Sequence, residues 1–72
     1  MSELQNELNQ WVAEYVTEAR EIGWTDKIIK NKLTDIVRRD LAWMKQTRKQ
    51  GEDCPKVYAR LTACVNAANS IN

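Results

Sequence analysis

The side chains that could do chemistry in this 72-residue chain are two cysteines and ten carboxylates, with no histidine among them. Their spacing argues against catalysis. Without histidine the commonest general base at neutral pH is missing, and neither Cys54 nor Cys64 has an imidazole to draw off its proton. Ten residues along one helix would hold the two sulfurs about 15 Å apart, beyond the reach of a disulfide. Two reduced thiols are therefore expected, one capping a helix or near the surface and one packed. A structural zinc site needs four ligands, and two cysteines do not supply them. The closely spaced carboxylates Glu14, Glu18 and Glu21 recur at helix-surface intervals, as in a solvated acidic face. Gly23 and Gly51 stand alone and belong to no phosphate loop. The expectation is a protein that is not an enzyme and needs no cofactor or metal.

Binding chemistry is better represented. On a helical projection, Lys27, Arg38, Lys45 and Lys49 line one side of a helix, with Asn31 and Thr34 between them and Lys32 and Arg39 further round. A basic stripe of this kind suits phosphates or an acidic protein surface. The net charge of only +1 and the pI near 7.8 weaken the nucleic-acid reading. That small sum hides a segregation. Residues 1–23 carry Glu3, Glu7, Glu14, Glu18 and Glu21 against Arg20, a net of −4. Residues 24–51 carry eight cations against Asp26, Asp35 and Asp40, a net of +5. An acidic helix followed by a basic one assists folding before it assists binding.

Three helices must position these groups. The first is expected over about residues 3–22: Ser2 and Gln5 form a capping-box pattern, and Leu4, Leu8, Trp11, Val12, Tyr15, Val16, Ala19 and Ile22 recur at three- and four-residue steps. Gly23 ends it. The second, over about 26–50, opens on Thr25 as N-cap with Trp24 and Ile29 as a hydrophobic staple, and Gly51 supplies a left-handed close. Its apolar stripe holds Ile29, Leu33, Ile36, Val37, Leu41 and Met44, with Trp43 at the edge. Asp40 falls inside that stripe and must find a partner at the rim, such as Tyr15, Tyr58 or a cation. The string from Ile28 to Leu41, IIKNKLTDIVRRDL, resembles the end of a helix-turn-helix unit. No turn residue separates Leu33 from Thr34, however, and the apolar period runs straight through. The third helix, over about 55–70, starts on Pro55 with Asp53 or Cys54 as cap. It carries the stripe Val57, Tyr58, Leu61, Cys64, Val65, Ala68 and Ile71, and opposite it a small, nearly uncharged face of Ala59, Thr62, Ala63, Asn66, Ala67, Asn69 and Ser70.

The fold expected is all-α, a single domain over residues 1–72 in a three-helix up-down-up bundle. The long middle helix would be shared by both neighbours, and the whole would pack as a helical homo-oligomer, since so short a chain builds only a marginal core. No run is apolar enough for a membrane span and no signal peptide is visible, which implies a cytoplasmic protein without membrane contact. The function expected is a small regulatory or inhibitory module that docks a helix face on another protein. Its contact residues would be Trp11, Trp43, Ala59, Ala63, Asn66 and Ala67, tryptophan being enriched in binding hot spots. By association, small accessory factors of phages and other mobile elements play such roles. The alternative is a small nucleic-acid-binding regulator using Lys27, Arg38, Arg39, Lys45 and Lys49 against the phosphate backbone.

Overall fold

A computed structural model describes residues 2–71, which form three α-helices joined by short connections: α1 (Glu3–Glu21), α2 (Asp26–Thr47) and α3 (Pro55–Ser70). The described chain measures 37 × 25 × 18 Å. No helix in it is long and apolar enough to cross a membrane.

The helix starts follow the capping chemistry in the sequence. Ser2 Oγ accepts the backbone N–H of Gln5 at 3.1 Å, and Thr25 Oγ1 accepts that of Ile28 at 3.3 Å. The reciprocal half of the first capping box does not form. Gln5 Nε2 instead donates to Asn9 Oδ1 and to the main-chain carbonyl of Ala59, each at 3.1 Å, so a residue expected to finish a cap ties α1 to α3. Gly23, at φ +95°, takes the left-handed conformation that the turn between α1 and α2 needs. Arg20 and Asp26 pair across that turn at 3.4 Å, both half exposed.

The end of α2 departs from expectation. The left-handed residue is Arg48, at φ 57°, so the helix stops at Thr47 rather than near residue 50. The Lys49 N–H caps the Met44 carbonyl at 3.0 Å. Gly51 begins a single 3₁₀ turn, Gly51–Asp53, and serves there by being small: a Cβ would lie 3.0 Å from Cδ1 and Cγ of the Tyr58 ring. Pro55 opens α3, where its missing N–H costs nothing. Cys54 occupies the N-cap position without capping through its side chain; its Sγ lies 3.1 Å from the Gln50 carbonyl and donates to it.

The larger correction concerns the core. α3, not the long α2, is the shared element: α1 and α2 both pack closely on α3 and scarcely touch one another. The cause lies in the face assigned to the surface. Ala59 and Ala63 are buried at 5% and 3% exposure, and their small side chains allow close helix approach. Cys64, Ala68 and Ile71 are buried as well. Leu8, Val12 and Ala19 from α1 and Ile29 and Leu33 from α2 complete the core, with Leu4, Tyr15, Val16, Trp24, Ile36, Val37 and Ala67 packed around it.

Candidate functional site: a tryptophan-walled groove

Because α1 and α2 scarcely touch, a groove stays open between them over the N-terminal part of α3. It encloses about 430 Å³ and is lined by Trp11 of α1, by Ile36, Arg39, Asp40 and Trp43 of α2, and by Val57 and Arg60 of α3. Helical spacing explains the α2 wall, since Ile36, Arg39, Asp40 and Trp43 fall at the three- and four-residue steps that share a face. Trp11 and Trp43 remain 42% and 40% exposed, a large apolar area for a molecule of this size to leave in water. Trp11 is held in place by stacking on Tyr15, with centroids 5.9 Å apart and planes 28° apart.

The polar part of the groove is an ion pair. Arg60 Nε donates to Asp40 Oδ2 at 2.9 Å and Arg60 Nη2 to Asp40 Oδ1 at 2.6 Å, a bidentate fork with the carboxylate buried and the guanidinium at the rim. The rim cation expected for Asp40 is therefore Arg60 of α3. Its hydrogen bond to Asp40 raises the Arg60 pKa despite the opposing effect of burial. Below the pair, burial pushes the Cys64 thiol up to about 11, and the Asp40 carboxylate adds to the rise. A thiol so placed stays protonated at neutral pH and is a poor nucleophile. Cys54 is buried too, neither near the surface nor capping through its thiol as expected, and both cysteines are free. Among the described residues no cluster of three or more potential ligands could hold a metal ion.

The structure divides the residues singled out by sequence. Trp11, Trp43 and Arg39 come together in the groove. Ala59 and Ala63 are instead buried in the core, at 5% and 3% exposure. Asn66 is exposed and Ala67 half buried, and both join the buried Ala63 in lining a separate hollow of about 500 Å³ along α1 and α3. Lys27, Arg38 and Lys45 are exposed on α2 and make no ion pair among the described residues. Lys49 lies beyond the left-handed Arg48, so the helical projection that aligned it with Lys45 does not reach it. Sequence reading missed Ile36, Val57 and Arg60 as groove residues. The first two read as ordinary stripe positions, and the third belongs to the groove only through its fork to Asp40.

No family model, curated protein or solved structure matches this chain. The functional reading therefore rests on the groove and the charges around it.

Proposed function

We propose that the chain is a non-enzymatic helical interaction module that binds another protein and regulates or inhibits it by helix-face docking in the groove. On this reading the three helices form an up-down-up bundle, and the module self-associates. The observation that carries the proposal is the pair of tryptophans, each about two-fifths exposed, lining one groove together with the half-buried Ile36 and Val57. Flat aromatic side chains around a desolvated centre are the usual anchors of protein interfaces. Arg39 adds direction: it is exposed and has no acidic partner among the described residues, whereas the groove's own carboxylate is already held by Arg60. A helix or extended segment that presents an apolar anchor beside a carboxylate fits both features.

A second reading, binding to nucleic acid, is favoured by the exposed, unpaired Lys27, Arg38 and Lys45 on α2. The two readings separate in one capture experiment from lysate, with nuclease treatment and three immobilised baits: the parent chain, Trp11→Ala/Trp43→Ala, and Lys27→Gln/Arg38→Gln/Lys45→Gln/Lys49→Gln. The groove reading expects a discrete protein that survives nuclease, is lost from the tryptophan variant and is kept by the charge variant. Material that vanishes with nuclease and with the charge variant, and that weakens steeply with salt, transfers the function to the basic stripe.

A further inference from the structure

The charges of this molecule are sorted by helix, and the seam between α1 and α2 is where the two signs meet. On the α1 bank, Glu14 and Glu18 stand with Trp11 and Tyr15 around a shallow hollow of about 190 Å³. On the α2 bank, Lys32, Ile36, Arg39 and Trp43 follow at steps of four, three and four residues, which is one row of a helix. Between the banks runs an aromatic strip. Trp11 stacks on Tyr15, Tyr15 meets Trp24 edge-on with centroids 6.3 Å apart, and Lys32 Nζ lies 5.8 Å from the centre of the Trp24 ring. The seam thus joins an acidic helix and a basic helix, with the aromatic contacts of Trp11, Tyr15 and Trp24 between Glu14 and Glu18 on one side and Lys32 on the other.

An arrangement of that kind is self-complementary under one kind of twofold rotation. An axis lying in the contact plane along the aromatic strip sets strip on strip and places each acidic bank over the basic bank of the other copy. An axis across the strip would set glutamate on glutamate and arginine on arginine, which costs free energy instead of providing it. We infer that the occupant of the groove is a second copy of this chain, in an isologous dimer with its axis along the Trp11–Tyr15–Trp24 strip and α1 of each protomer over α2 of its partner.

Charge, burial and size agree on that occupant. Arg39 gains the carboxylate it lacks within the protomer, and the exposed faces of Trp11 and Trp43 leave water. A molecule of 37 × 25 × 18 Å offers a broad face that can cover the roughly 800 Å² per partner of a standard stable interface. The inference rests on the groove being a docking surface, as proposed above, and has a consequence for it: the dimer covers the same tryptophans, so self-association and capture of a regulated protein compete.

The test uses the purified chain and two charge-reversed variants. Lys32→Glu/Arg39→Glu makes both banks acidic, and Glu14→Lys/Glu18→Lys makes both basic. All four positions are solvent-exposed, and circular dichroism checks that each variant keeps the helical content of the parent. In sedimentation equilibrium from micromolar to submillimolar concentration, the parent is expected to rise to twice its monomer mass and to lose that rise in high salt. Each variant alone is expected to stay monomeric. An equimolar mixture of the two is expected to recover the dimer, because both of its α1–α2 contacts are again acid on base. A parent that stays monomeric throughout, a variant that dimerises like the parent, or a mixture that stays monomeric overturns the inference. A monomeric parent that still captures a protein through Trp11 and Trp43 sinks only the dimer. A dimer that restores on mixing but captures nothing sinks only the regulated partner.

Discussion

At the scale of single residues the decisive pair is Asp40 and Arg60. Asp40 shows itself in the sequence because a carboxylate interrupts an apolar stripe, and that conflict is local to one helix. Its partner is not legible there: Arg60 lies twenty positions on, in another helix, and only the register of α3 against α2 selects it over the other cations. The two halves of the pair are not equivalent. The Asp40 side chain is 7% exposed and that of Arg60 36%. Arg60→Ala therefore leaves a largely buried carboxylate without its partner, which should destabilise the fold by about 2–4 kcal/mol, somewhat less than for a fully buried pair because the guanidinium side is open. Asp40→Ala leaves a guanidinium that can swing outward, and a loss of about 1–2 kcal/mol is expected. Urea denaturation of the two variants measures the order. If Asp40→Ala proves the more damaging, the carboxylate is not the buried, dependent member of the pair.

At the scale of elements, helix starts were more legible than helix faces. Ser2, Thr25 and Pro55 mark the N-termini through interactions made within a few residues, so the chain carries them in plain view. Gly51 misleads because glycine answers two needs, a left-handed φ and room for a close neighbour, and its neighbour here is Tyr58. The face of α3 misleads for a related reason. Alanine suits both a solvated helix surface and a close helix crossing, and nothing in the periodicity tells them apart; the choice depends on where α1 lies, which is a property of the packed molecule. The structure places Ala63 in the core at 3% exposure and leaves Asn66, three residues on, in solvent. Ala63→Leu overfills the α1–α3 crossing and should lower stability by about 1–3 kcal/mol. Asn66→Arg should change it by no more than about 0.5 kcal/mol. Thermal melts of both variants check the assignment, and equal effects would mean that α3 does not present Ala63 inward.

At the scale of the whole molecule, what matters is the separation of charge, −4 over residues 1–23 and +5 over residues 24–51, within a body 37 × 25 × 18 Å across. Few of these charges touch an opposite charge: the described residues contain the ion pairs Arg20–Asp26 and Asp40–Arg60, while Lys30 donates to the Ile71 carbonyl, Lys32 lies against the Trp24 ring, and Lys27, Arg38, Arg39 and Lys45 are exposed without an ion pair. Their attraction to α1 must therefore act through space, over distances set by the shorter dimensions of the molecule. The Debye length is about 30 Å at 0.01 M salt and about 3 Å at 1 M, so those dimensions lie within range in dilute buffer and outside it in concentrated salt. A long-range attraction of this kind disappears between the two conditions, whereas the buried core and the close-contact Asp40–Arg60 fork, with its carboxylate buried, respond far less. The thermal midpoint of the parent, measured at low micromolar concentration to keep association out of the signal, should fall as sodium chloride is raised over that span. In Lys27→Gln/Arg38→Gln/Lys45→Gln/Lys49→Gln the α2 segment drops by four charges, from +5 to +1. The variant should start from a lower midpoint in dilute buffer and show a much flatter salt response, the two curves converging at high salt. If the parent curve is already flat, the acidic and basic helices do not stabilise one another within the protomer, and their sorting is left to serve contacts between molecules.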